Sequence, residues 1–561
     1  MSKKMISRIV YIFMFMIIGW FILSFIITPV ISVIREVFIV DGNFSFNTFE
    51  KLVNSNRIKG ALSNTFKMAI CTVLTVSLVG IFQIMLTEYF DIKGSRFLEL
   101  AYFTPLLYGG ISLVRGYKFV YSSEGFITKL LVSWFPNMNP NWFMGFAGVL
   151  FVHTFSMTTY HILFVKTAFK RIDYSTIEAS RNLGANNLKA FFKVALPVIK
   201  PSIFSATILV TLSALNSFAA PAMLGGKNFY MINSMIQNLN SINSKDLAAL
   251  LSFVLALVCI LLFLYMRWLE KRNSYISVSK VPTKIVKTKI RNPFLNILTH
   301  LAAYLLAFVY LLPVVAIVLF SLTDIQTITY QTFPKALTLE NYIRVFSQSI
   351  TMKPFLNSVA LSLLAVVIVL ALCITSAVAI HKKPGKATGF LEMTLLIPWI
   401  LPSTLLAVGM IINYSTPSAF VLGRVLLGGF WLLPIAYAVI SIPSAMRLIR
   451  ASLYNINTAH EEAARSLGAG PVYTFIRVVF PAILPTAASV GAITFNSLLS
   501  EYTISALLYS IKNVPLGIML RNPESSADTY TAANTLVYIV ILMIISGITL
   551  ALTKNSRKNQ Y

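Results

Sequence analysis

The sequence predicts an all-α integral membrane protein made of two parallel six-helix repeats, with about 12 transmembrane helices. Three observations carry that expectation. Of 561 residues, 57% are apolar and only 12% are Asp, Glu, Lys or Arg, where a soluble domain holds about 25% charged residues. Apolar stretches of about 20 residues, long enough to cross the hydrocarbon core as helices, recur from end to end. The second half of the chain also repeats the first.

The apolar stretches lie near 10–35, 61–87, 97–121, 143–168, 202–224 and 247–268, then near 296–321, 355–381, 390–413, 427–449, 485–508 and 530–552. Those at 97–121 and 390–413 are interrupted by Pro105, Gly109 and Gly110, and by Pro398 and Pro402. The first stretch follows a basic start but is too long for a signal core and lacks a small-residue cleavage site. It reads as a retained span. Cys71, Cys259 and Cys373 are far apart within apolar runs, which excludes a disulfide scaffold and a close-spaced thiolate zinc site.

Lys and Arg number 46 against 19 Asp and Glu, a formal charge of +27. In a soluble chain that excess would suggest nucleic acid. Here, with twelve alternating spans and an inside N-terminus, 30 of the 46 fall on inside segments and 14 on outside ones. Basic residues favour the cytoplasmic side, so both termini are expected there.

Residues 171–201 align with 455–485 at a shift of 284, with 12 identities in 31 gapless positions. Pro29 and Pro313 share that shift; Leu98-Glu99 matches Leu391-Glu392, and Pro105 matches Pro398, at a shift of 293. The organisation is therefore a first repeat over 1–270, a basic linker over 271–293 and a second repeat over 294–561. The best-kept segment is no span but the inside loop after the fourth span of each half, 170–200 and 454–484. A lipid-facing helix needs only apolar bulk, so charge, Gly and Pro kept in a loop mark a positional demand.

In the first copy Glu178 and Arg181 are spaced as an i,i+3 pair on a short helix. Leu183 would continue the apolar side, Gly184 would end the helix in a left-handed turn, and Pro197 and Pro201 would break a second helix before the next span. Glu462, Arg465, Leu467, Gly468 and Pro481 repeat the device. The expected product is a rigid short helix across the inner face, shaped to transmit force to a docked partner.

Glu178-Ala179-Ser180-Arg181-Asn182-Leu183-Gly184-Ala185 and Glu462-Ala463-Ala464-Arg465-Ser466-Leu467-Gly468-Ala469 resemble the EAA loop of type I binding-protein-dependent ABC importer permeases. The likeness covers both halves, and the fused pair is similar to ferric-iron permeases, with thiamine and 2-aminoethylphosphonate permeases as near relatives. It implies the MetI-like permease fold in a bacterial cytoplasmic membrane. It also implies that Glu178, Ala179, Arg181, Leu183, Gly184, Glu462, Ala463, Arg465, Leu467 and Gly468 dock two copies of a cytoplasmic ABC ATPase. The second copy departs in carrying Glu461 where the first has Ile177, and Asn457 where the first has Asp173. The chain holds no G-x-x-x-x-G-K-[ST] phosphate loop, so it is not expected to be an enzyme; ATP and Mg belong to the partner. No cofactor or resident metal is expected in this chain.

Polar residues within spans are costly and are the first candidates for a path. These are His153, Tyr160 and His161 in the fourth span, Asn216 and Ser217 in the fifth, and Asn496 and Glu501 in the eleventh. The two histidines, eight apart, share a face, but a pair alone reads better as bundle hydrogen bonds than as a metal site. Outer loops are too short for a receptor domain, so a separate solute-binding protein is expected. The competing classes are a secondary transporter with two six-span repeats, which needs more buried charge, and a membrane enzyme, which needs a clustered constellation the sequence lacks.

Overall fold

A computed structural model describes residues 3–40, 42–170, 172–226, 229–272, 286–330, 334, 336–382, 385–454, 458–521 and 530–558. Among them, ten helices are long and apolar enough to cross a membrane. In the first half these are Ile12–Phe38, Asn56–Tyr89, Gly145–Phe169, Asn187–Leu215 and Lys245–Leu269. In the second they are Pro293–Ser321, Ser349–Lys382, Leu432–Tyr454, Pro471–Leu499 and Tyr530–Thr553. Two further candidates are bent helix pairs, Ser95–Leu106 with Ile111–Trp134 (113°) and Lys386–Trp399 with Ser403–Tyr414 (101°).

The bent pairs occupy the third position of each half, where the sequence is interrupted. They stand where interrupted spans are expected, at 97–121 and 390–413. Pro105 and Pro398 each sit in a short 3-10 turn at the bend. In the first half Gly110, at φ +64, makes the reversal; in the second Pro402 stands at the entry of the outer limb.

The loop prolines correct an expectation. Helix runs unbroken from Asn187 to Leu215 and from Pro471 to Leu499. One widened turn precedes each proline, Phe191–Ala195 before Pro197 and Phe475–Val479 before Pro481. A proline has no N–H to give to the residue four back, and a π turn takes up that mismatch without ending the helix.

Within each half the second, fourth and fifth spans pack together. The first spans cross over, each still packing on the sixth span of its own half. Phe21, Phe25 and Ile26 join the buried core of the second half, and Ala303, Ala307 and Tyr310 of the seventh span join the core of the first. The seats are built alike. Gly409 lies against Pro29 with no room for a Cβ, and a Cβ at Gly116 would stand 2.7 Å from Ile317 Cδ1 and 3.7 Å from Pro313 Cβ. Gly116 and Gly409 are 293 apart, the shift of Pro105 and Pro398. Buried hydrogen bonds lock the crossover: Tyr414 Oη donates to the Ser24 carbonyl at 2.6 Å, and Gln83 Nε2 donates to Tyr310 Oη at 2.8 Å.

Candidate functional site

Two loop helices and one cavity form the site. The first loop helix, Tyr174–Asn182, starts at Asp173, whose carboxylate accepts from the Ser175 amide at 3.0 Å. It ends as its sequence dictates. Gly184 takes φ +87, its amide donates to the Arg181 carbonyl, and the Ala185 amide donates to Ser180. Those two bonds satisfy carbonyls that a helix end otherwise orphans. The second loop helix, Thr458–Ser466, ends the same way, with Gly468 at φ +82 and the Ala469 amide on the Ala464 carbonyl. A Cβ at either glycine would meet nothing within 4 Å, so conformation alone, and no close packing, asks for glycine there.

Each helix has a packed side and a bare side. Glu178, Ala179, Asn182, Leu183 and Gly184 are exposed in one, and Glu462, Ala463, Ser466, Leu467 and Gly468 in the other. Leu183 and Leu467 are each 89% exposed, so they do not continue an apolar packed side as expected. The Glu178–Arg181 pair does not form either. Arg181 turns inward, donating to the hydroxyls of Tyr174 and Tyr89 at 3.3 Å and to Thr288 Oγ1, and stacks near both rings. Five acceptors and π faces inside outcompete one solvated carboxylate. The Arg465 side chain, and Asn457, lie outside the described residues.

Thr288 belongs to the segment joining the halves, described from residue 286 onward. Its amide donates to the Tyr89 carbonyl at 2.8 Å, its carbonyl accepts from the Asp91 amide at 2.9 Å, and Lys287 Nζ donates to Ser95 Oγ at 2.7 Å. The second loop helix leans instead on an ion pair, Glu461 Oε2 to Lys382 Nζ at 3.5 Å. Ile177, in the place of Glu461, is fully buried.

Between the halves lies a cavity of about 330 Å³. The bend of the third span (Tyr108, Ser112), Ala219, the end of the eleventh span (Asn496 to Thr503) and Ser546 line it. Glu501 and Asn496 are thus brought together. The Glu501 carboxylate accepts from the amides of Ile504 and Ser505 at 3.1 Å, and from Ser505 Oγ at 3.1 Å, fixing the short helix beyond the break. Asn496 Oδ1 accepts from Ser546 Oγ at 2.8 Å.

The other path candidates lie in the packing of the first half and do not line this cavity. His153 bridges Thr72 Oγ1 at 3.1 Å and Ser217 Oγ at 2.7 Å. His161 faces Ser77, Tyr160 faces Ser213, and Asn216 Oδ1 accepts from Cys259 Sγ. Among the described residues, no group of three His, Cys, Asp or Glu is placed to hold a metal.

Sequence reasoning missed the closure beside the cavity. Phe218 and Tyr502, 284 apart, stack across the halves with ring centroids 5.2 Å apart. Tyr437, 284 beyond His153, bonds Ser505 Oγ at 2.5 Å. So in each half the fourth span, which carries the loop helix, also holds the break that follows the fifth span. The repeat shift, applied to single residues, relates Phe218 to Tyr502 and His153 to Tyr437, but it carries Ser217 to Glu501 and so does not reach Ser505.

Residues 95–275 and 376–556 match the family described as binding-protein-dependent transport system inner membrane component. The "Probable ABC transporter permease protein y4fN" of Sinorhizobium fredii is 40% identical over 96% of this chain and 95% of its own length. The "Fe(3+)-transport system permease protein FbpB 2" of Haemophilus influenzae is 26% identical over 89% of this chain and 90% of its own. The "Putative 2-aminoethylphosphonate transport system permease protein PhnU" of Salmonella typhi is 24% identical over 39% of this chain and 77% of its own. Matched once in each half, the chain belongs to the binding-protein-dependent transport inner membrane components, as a fused two-domain ABC importer permease.

Proposed function

We propose that the chain conducts ferric ion across the bacterial inner membrane, with two ABC ATPase copies seated on its loop helices and a separate solute-binding protein delivering the ion. One observation supports the docking above all. Each loop helix turns the same Glu-Ala-Leu-Gly face outward, and its leucine is 89% exposed beyond the span ends. An apolar side chain bared twice at equivalent places fits a surface that a partner covers. Glu178, Ala179, Leu183 and Gly184, with Glu462, Ala463, Leu467 and Gly468, are the contact residues; Arg181, and Arg465 by analogy, hold the helix from behind. The basic residues favour the cytoplasm for both loops and both termini.

Motion of the loops would travel along the fourth spans to His153–Ser217 and Tyr437–Ser505, and part the Phe218–Tyr502 stack. For the cargo, the FbpB 2 likeness runs through both halves, whereas the PhnU likeness covers 39% of the chain. The cavity lining also favours a hard cation. It offers Glu501, Asn496 and hydroxyls, among them those of Tyr108 and Ser112, which are buried without a hydrogen-bond partner, and no Lys, Arg or His. Hard cations seek oxygen ligands; a phosphonate would want cationic donors. The PhnU relative makes 2-aminoethylphosphonate the second reading.

Uptake of radiolabelled ferric ion and of 2-aminoethylphosphonate by cells with and without this chain decides the cargo. Iron uptake that persists unchanged without the chain overturns the ferric reading. Native mass of the purified complex tests the assembly, which is expected to hold one 62.4 kDa chain and two ATPases; two copies of the chain would defeat it.

A further inference from the structure

Ion pairs cross between spans near the inner ends of both halves. In the first, Lys166, in the last turns of the fourth span, holds Glu99 on the inner limb of the third. In the second, Arg450 holds Glu392 on the corresponding limb. Lys166 and Arg450 are 284 apart, but Glu99 and Glu392 are 293 apart. The stretch between the partners therefore changed length after duplication, and Lys changed to Arg, yet the pairing was kept.

The four side chains are 14% to 31% exposed. Charges sunk that far near a bilayer carry a desolvation cost that an apolar contact between the same helices would avoid. The surroundings differ between copies. Lys166 also pairs with Glu88, at the end of the second span, at 3.0 Å. Arg450 donates to Tyr454 Oη at 2.6 Å. Only the link from third to fourth span is common to both.

Its position says what it connects. Lys166 and Arg450 each stand eight residues before their loop helix. Glu99 and Glu392 each lie a few residues before the proline at which the third span bends. In the first half that bend, from Pro105 to Ser112, is the cavity wall. Where the first spans cross over, the outer limb of each third span also carries the glycine seat of the other half's first span.

We propose that Glu99–Lys166 and Glu392–Arg450 are latches that make the bent third spans follow the loop helices, so that the cavity wall moves with the docked subunits. These are positioning residues. An apolar contact lets helices slide along one another, whereas a half-buried ion pair fixes one point on each limb. The inference rests on the loop helices being the docking sites, and ATPase pull-down on the same samples separates failure of that reading from failure of this one.

The test uses the whole permease–ATPase complex in proteoliposomes, with Cys71, Cys259 and Cys373 replaced by Ser or Ala and Ser497→Cys as reporter. Ser497 is exposed and lines the cavity. The labelling rate of that thiol by a small maleimide is read without nucleotide and with ATP and vanadate, so no cargo is needed. The parent is expected to change its rate on trapping. Glu99→Gln and Glu392→Gln should keep ATPase association and ATP hydrolysis but shrink that change by roughly 2- to 30-fold, the span expected when a coupling element is lost. The reversed pair Glu392→Arg with Arg450→Glu should restore it, which separates a broken latch from poor folding. An undiminished change in both Gln variants overturns the proposal. So does a parent whose labelling ignores nucleotide, or a reversed pair no better than Glu392→Gln.

Discussion

The two loop helices present the same face on different foundations. The first is wedged by buried Ile177 and by Arg181, which reaches Tyr89, Tyr174 and the Thr288 segment between the halves. The second has Glu461 in place of Ile177, and Glu461 pairs with Lys382. Outward, Glu, Ala, Leu and Gly are identical in kind and position. Duplication preserved what a partner would touch and, where Ile177 became Glu461, let the backing change, as expected when selection acts on the presented surface and any sufficient support will serve.

The largest difference between the copies should come from cutting the backing. Ile177→Ala removes a fully buried side chain and is expected to cost about 2–5 kcal/mol. Glu461→Ala leaves the buried Lys382 ammonium without its carboxylate and should cost about 3–5 kcal/mol, a loss that adding Lys382→Met should relieve, whereas no charge change relieves Ile177→Ala. Limited proteolysis of the loops in detergent reads all three; a double variant as protease-sensitive as Glu461→Ala would erase the contrast.

Next come substitutions that should act alike in both copies. Gly184→Val and Gly468→Val force a β-branched residue to positive φ at about 1–2 kcal/mol each. Because a Cβ there meets open space, the strain can be relieved only by re-angling the loop. Uptake should fall much further than ATPase pull-down, with the Ala variants milder. Wild-type uptake in both Val variants would remove the coupling role of the turn.

The smallest effect is expected from Glu178→Ala and Glu462→Ala, whose side chains are exposed. Membrane insertion should be unchanged, and ATPase association should weaken by about 0.5–1 kcal/mol per site. A loop whose variant binds the ATPase and transports as the parent does has lost its claim to that contact.

Much of this architecture is legible in the sequence because lipid leaves few choices: apolar length marks the spans, and Pro or Gly marks where two of them bend. The left-handed turns at Gly184 and Gly468 are legible for the same local reason. The direction of Arg181 is not, because beyond Tyr174 of its own helix its partners come from the second span and from beyond residue 286. Leu183 misleads because apolarity alone does not distinguish a packed side chain from one bared for a partner. The prolines of the fifth spans mislead too: a rule about single residues cannot foresee the widened turn that accommodates them. Of the path candidates, Glu501 and Asn496 share a cavity, while Asn216, Ser217, His153 and Tyr160 are taken up by neighbouring spans. The crossover of first spans left a trace that pairwise spacing alone could not interpret, Pro29 with Pro313 and Gly116 with Gly409.

That crossover has a consequence for how the protein is made. The seventh span finds its seat, Gly116, already in the membrane when it emerges. The first span must wait for Gly409, about 380 residues behind Pro29. At roughly 5–20 residues per second of synthesis, it waits for that seat for roughly 20–80 s, although Val33 and Val37 at its C-terminal end pack with the sixth span of its own half. It is equipped to do so, since Phe13, Met16, Trp20 and Leu23 stay exposed on its flank even in the finished fold. The halves therefore mature in an order: the second completes the first before the first can complete the second, and a chain cut off before residue 409 would leave Pro29 without its seat.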